Sequence, residues 1–172
     1  MAPHFNRFER FTNSSLRLCR RSLTLFMKKL TLSNPTRLVL KSPPHIGRVS
    51  TLLEMFPQAQ FVHIVRDPYQ VYPSTRRLWD AALAPAHLQI PKPELVDSII
   101  LSWYAELFSP FERDRKLIPS GSLYEMKFED LEAEPIKTMR GMYEELGLPG
   151  FESFEERCFF RRTYACSGGQ SS

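Results

Sequence analysis

The stretch Phe61-Val62-His63-Ile64-Val65-Arg66-Asp67-Pro68 decides the fold. Its first five residues are continuous apolar character broken by one His, the pattern of a parallel strand covered on both faces. Asp67-Pro68 then reads as a helix start, with Asp as the N-cap that accepts backbone N–H bonds and Pro at the first helical position, where no donor is needed. The helix should run toward Leu83, kinked or irregular near Pro73, which must cost one backbone hydrogen bond.

Upstream, Arg37-Leu38-Val39-Leu40-Lys41 is short, apolar in its middle and followed by Pro43-Pro44, which predicts a buried strand ending in a stiff loop. Ile46, Val49, Leu52, Leu53 and Phe56 follow helical spacing and stop before Pro57. Downstream, Ala84 to Pro93 reads as a loop and Glu94 to about Arg115 as a long helix bent at Pro110. Ser122 to Phe128 alternates as a third strand, and Glu134 to Leu146 is an amphipathic helix closed by Gly147. This order predicts an α/β domain in three layers, a parallel sheet of the strands near Leu38, Val62 and Met126 covered by helices on both faces. Ligands of such sheets sit beyond the strand C-termini, which directs attention to Lys41–His45, Arg66–Ser74 and Phe128–Asp130.

A length of 172 residues suits one domain. Hydrophobic content of 42% with 24% charge is ordinary for a globular chain and excludes disordered, collagenous and disulfide-scaffold classes. Charge is uneven: residues 1–32 carry seven Lys/Arg against one acid, a net of +6, while the remainder carries sixteen against eighteen, a net of −2. The expected organisation is a basic amphipathic leader helix over 1–32, an α/β domain over 33–160 and an irregular tail over 161–172. In the leader Leu16, Cys19, Leu23, Phe26 and Leu30 recur at helical spacing as an apolar face that docks on the body. The same Arg- and Ser-rich composition also fits an organellar targeting segment, and a cytoplasmic location is the default expectation. Basicity confined to a leader does not suggest nucleic acid as partner. Cys19, Cys158 and Cys166 are odd in number and form no CxxC pair, so no zinc site or disulfide framework is expected. No uncharged apolar run reaches the roughly 18–20 residues that would cross a bilayer.

An Arg at a strand's end and a Ser about two turns into the next helix can converge on one anion, the guanidinium and the hydroxyl both donating and the helix N-terminus adding a favourable field. Arg66 and Ser74 have that placement. The plain alternative is that Arg66 pairs with a neighbouring acid and Ser74 faces solvent. His63, inside a strand, reads as a satisfied core histidine.

Leu38-Val39-Leu40-Lys41-Ser42-Pro43-Pro44-His45, then Phe56 through Pro68, then Ser74-Thr75 resemble the middle of the sulfotransferases that use 3′-phosphoadenosine 5′-phosphosulfate (PAPS). The resemblance continues through Tyr124-Glu125-Met126-Lys127-Phe128-Glu129-Asp130-Leu131 and Leu148-Pro149-Gly150-Phe151-Glu152. It implies a P-loop-NTPase-like fold, PAPS as co-substrate, and a hydroxyl or amine as acceptor. It implies that Arg66 and Ser74 bind the donor's 3′-phosphate and that Phe128 lies beside the adenine. Lys41 falls where the family places a strand-end Lys near the transferring sulfuryl group, a positioned cation of the kind that stabilises charge on a breaking bond. His45 is a candidate general base, although it follows Lys41 by four positions where cytosolic members have two.

The family's 5′-phosphosulfate loop is a Gly-containing turn before a helix, and no Gly precedes Gly47. The sequence therefore reads as an incomplete sulfotransferase lacking that loop. The alternative is a noncatalytic fragment or nucleotide-binding module that keeps only the 3′-phosphate site.

Overall fold

The structure, a computed structural model, describes residues 13–83 and 92–158. The first twelve residues of the leader, most of the expected 84–93 loop and the 161–172 tail lie outside the described residues. The chain divides into two compact units: Met1–Ala59 with Pro68–Ile118, and Gln60–Asp67 with Pro119–Ser172.

The first unit is helical. Helix α1 covers Asn13–Ser33, and Leu16, Cys19, Leu23, Met27 and Leu30 are its half-buried side. Phe26, expected on that side, is 53% exposed, with Met27 turned inward in its place. A 3-10 turn over Pro43–Arg48 leads into α2, Val49–Met55. Helix α3, Pro68–Leu78, begins with Pro at its first position, as Asp67-Pro68 predicts, and continues as a π-helical turn over Trp79–Leu83. It runs through Pro73, and α4, Pro93–Asp114, runs through Pro110. Val49 and Leu52 of α2 and Val96, Ile100 and Phe111 of α4 are buried and form this unit's core. Buried Asp114, at the end of α4, accepts hydrogen bonds from Ser50 Oγ at 2.7 Å and Arg113 Nε at 2.7 Å, so that no charge is left uncompensated in the core.

The second unit holds the sheet. Strands β1, Phe61–Val65, and β2, Leu123–Lys127, pair in parallel, Phe61 opposite Leu123 through Val65 opposite Lys127. Two helices follow β2: α5, Phe128–Ala133, and α6, Pro135–Glu145. Gly147 at φ 60° takes the left-handed conformation that closes a helix, and Leu148 N–H bonds the Tyr143 carbonyl at 2.8 Å. A last helix, α7, covers residues 151–158. Met126, Met142 and Leu146 are this unit's buried centre, with Tyr124, Leu131, Met139, Tyr143 and Leu148 packed against them.

Two expectations fail. Residues 37–41 form no strand: Val39 is 90% and Leu40 38% exposed, and the sheet among the described residues has two strands rather than three. A strand exists only through ladder bonds to a neighbour, and no described segment pairs with this one. Nor is β1 covered on both faces, since Val62, Ile64 and Val65 are 45%, 50% and 42% exposed. The apolar helix residues pack on Met126 and Tyr124 of β2 instead.

Candidate functional site

Arg66 leaves the end of β1 at the point where the chain turns toward α3. Its guanidinium lies 4.4 Å from the ring centroid of Phe128, the first residue of α5. The parallel register produces this contact, because Val65 is opposite Lys127, and the residue after each strand therefore stands beside its counterpart. Arg66 is exposed and makes no ion pair among the described residues. A flat cation stacked on an aromatic face keeps its outward N–H fork for an anion.

Below it, Glu129 ties the two strand ends together by accepting the backbone N–H of Asp67 at 3.2 Å. Hydrogen bonds from its own backbone N–H and from that of Asp67 hold its carboxyl below the usual range, and the nearby charges of Arg66 and Lys127 act in the same direction. Glu129, in the first turn of α5, thus fixes the backbone from which Arg66 projects.

His63 bonds Glu125 across the ladder, Nδ1 to Oε1 at 2.9 Å, with 14% of its side chain exposed. It is satisfied within the sheet, as its position in the strand predicts.

Ser74 lies on α3 and is exposed. It belongs to the first unit and Arg66 to the second. Close to Ser74, Arg76 Nη1 donates to Asp97 Oδ1 at 3.0 Å and to the Pro93 carbonyl at 3.2 Å, bracing α3 against α4. Tyr72 also bonds Asp97, which raises its phenol above the ordinary value, with burial and the Asp97 charge adding to the effect. Arg76 and Asp97 are 21 positions apart, so no local spacing announces this brace, whereas Arg76–Asp80, 3.5 Å, has the i,i+4 spacing of a helix pair.

Lys41 is exposed in the irregular segment before the 3-10 turn and carries no ion pair among the described residues. His45 sits on the 3-10 turn, whose first bond runs from its N–H to the Ser42 carbonyl at 3.0 Å. It lines a small pocket with Cys19, Arg20, Arg48 and Leu52, among others, and its buried Nδ1 has no hydrogen-bond partner among the described residues. Lys41 is not part of that lining. Burial first, and the Arg48 charge second, lower the pKa of His45 below its usual 6.5, so the ring is neutral at pH 7. The sequence did not announce this pocket, because Cys19 and Arg20 reach it from α1.

The structure therefore brings Arg66 and Phe128 together and sets His45 into a pocket of its own. A basic fork over an aromatic ring is the donor set that a phosphorylated purine nucleoside requires, so the residues present fit such a group.

The profile of the sulfotransferase family matches residues 2–153. Two curated relatives, each named omega-hydroxy-beta-dihydromenaquinone-9 sulfotransferase Stf3, come from Mycobacterium bovis and Mycobacterium tuberculosis. Each is 37% identical over 149 residues, which are 87% of this chain and 38% of the relative. The chain thus spans less than half the length of these relatives. No solved structure matches.

Proposed function

This chain belongs to the sulfotransferase family, and we propose that it carries the nucleotide-binding part of an enzyme that moves a sulfuryl group from PAPS to an acceptor hydroxyl. The observation that carries the reading is the Arg66 guanidinium over the Phe128 ring, exposed and in no ion pair among the described residues. In this reading Arg66 and Ser74 hold the 3′-phosphate. Phe128 offers the adenine the ring face that Arg66 leaves open. When bound, PAPS supplies the activated sulfuryl group. Lys41 contributes an ammonium able to balance negative charge on the oxygen that is released. His45, its neutral form favoured by burial, is the candidate to take the acceptor's proton. The reading also assigns the two-stranded sheet to a three-layer, P-loop-like fold.

By their name the mycobacterial relatives act on omega-hydroxy-beta-dihydromenaquinone-9, which supports a hydroxyl rather than an amine as acceptor here. A second reading is nucleotide binding without transfer, which the Arg66–Phe128 pair supports equally, since a cation over a ring addresses phosphate and base rather than the sulfuryl group.

Calorimetry with adenosine 3′,5′-bisphosphate and adenosine 5′-phosphate tests the common core. The bisphosphate should bind at least about tenfold tighter, the worth of one charge-assisted contact. Equal affinities would end both readings, whereas bisphosphate binding with no radiolabelled sulfate transferred from PAPS would select the second.

A further inference from the structure

Helix α1 contains no acidic residue, and the side it turns to solvent carries large apolar residues among its polar and basic ones. Residues seven apart on an α-helix lie within about 20° of one another around its axis, so Leu18, Leu25 and Leu32 share one stripe. They are 66%, 50% and 86% exposed. The opposite stripe, Leu16, Cys19, Leu23, Met27 and Leu30, is the half-buried one, so α1 is apolar on two sides and covered on one. Arg21 and Lys28 border the exposed leucines along one edge and Lys29 along the other. All three are exposed, and none is in an ion pair among the described residues.

Charge selects the occupant of this face. A second copy packed stripe to stripe would bury the leucines but set Arg21, Lys28 and Lys29 against their own counterparts, which is repulsive. A nucleic acid would answer the cations and leave the leucines in water. An anionic bilayer surface answers both, taking leucines into the acyl boundary while lysine and arginine meet phosphate headgroups. No helix among the described residues is long and apolar enough to cross a membrane, so the contact is one of lying on the surface. We propose that α1 is a surface anchor for anionic membranes, seated through Leu18, Leu25 and Leu32. The proposal is independent of the transfer reaction, because α1 holds none of the residues assigned to it.

Co-sedimentation of the 172-residue chain with vesicles of equal parts phosphatidylglycerol and phosphatidylcholine tests it. The chain should pellet with these vesicles and stay in solution with phosphatidylcholine alone, and added salt should weaken the binding. Leu18→Gln/Leu25→Gln/Leu32→Gln should cut partitioning at least about tenfold, since three leucines no longer leave water. Lys28→Glu/Lys29→Glu should abolish the preference for anionic lipid, and circular dichroism should show both variants as helical as the parent. Failure to pellet, or undiminished pelleting of the leucine variant, would overturn the proposal. So would a dimer that depends on the leucines without vesicle binding, or binding to duplex DNA in preference to the vesicles.

Discussion

Replacing Arg66 by Ala separates what the residue does for the fold from what it does for a ligand. Within the protein its one specific contact among the described residues is the stack on Phe128 at 4.4 Å, and both partners reach solvent. An exposed cation–π pair is worth about 0.5–1 kcal/mol. No acid is orphaned by the change, and Glu129 keeps the backbone hydrogen bonds that chiefly set its ionisation. The variant should therefore fold, with a denaturation midpoint only slightly lowered. Against a 3′-phosphate the loss is larger: a charge-assisted hydrogen bond contributes about 1.5–3 kcal/mol, which is about a ten- to 150-fold rise in Kd. Adenosine 5′-phosphate, lacking that group, should bind parent and variant alike. Arg66→Lys keeps the charge but loses the planar fork and much of the stacking, and should fall between them. Calorimetry with both nucleotides reads all of this. Equal losses for the two nucleotides would refute the assignment of Arg66 to the 3′-phosphate, and a loss of several kcal/mol in folding stability would make Arg66 a structural residue.

Asp114→Ala removes the shared acceptor of Ser50 and Arg113 at a buried site and should cost about 1–3 kcal/mol in urea denaturation. Burial by itself would raise this carboxyl, but the hydrogen bonds from Arg113 and Ser50 prevail and hold it below 3.8. A depressed carboxylate contributes stability above its unfolded pKa and loses it as pH falls through the folded one, so the gap between parent and variant should be full at neutral pH and shrink below about pH 4. His45 is displaced in the same direction but is the opposite kind of group: its neutral form is favoured by burial, so acid opposes folding as pH drops below its usual 6.5. His45→Gln should flatten that leg of the stability curve, and an unchanged curve would show that the ring is not held neutral. In α6 a methyl group at Gly141 would lie 3.0 Å from the Tyr124 hydroxyl. Gly141→Ala should therefore fail to gain the roughly 0.5–1 kcal/mol that helix propensity offers, and should recover it in a Tyr124→Phe background. Zero coupling in that double-mutant cycle would mean the ring yields freely.

The strands β1 and β2 themselves and the helices after them were legible because each is set by residues close in sequence, whereas their parallel pairing, Phe61 with Leu123, followed from the crossover topology. The apolar runs set the strands, Asp67-Pro68 starts α3, and Gly147 ends α6. The same locality made the placement of Arg66 at the end of β1 readable, on which its proposed role as an anion ligand rests. What was not legible depends on partners. Leu38-Val39-Leu40 has the composition of a buried strand, yet composition states only that burial would be favourable, and without a neighbour's N–H and C=O groups the segment stays an unladdered extension. Phe26 and Met27 are equally apolar neighbours on α1, and which of them turns inward is decided by what the helix packs on rather than by spacing.

Lys41 and His45 carry that distinction into the chemistry. Four residues apart in the sequence, they occupy different environments: an exposed side chain in no ion pair among the described residues, and a half-buried ring whose neutral form is favoured, beside Arg48. The turn over Pro43–Arg48 makes the difference, because its tight 3-10 winding carries the His45 ring toward α1 and α2 while Lys41 stays in the irregular segment before it. A cation meant to balance charge on a leaving oxygen gains from remaining ionised and reachable, and a proton acceptor gains from being neutral at working pH. Those are opposite demands on solvation. In the reading proposed above, the Pro-Pro turn between the two residues would meet both demands within one loop.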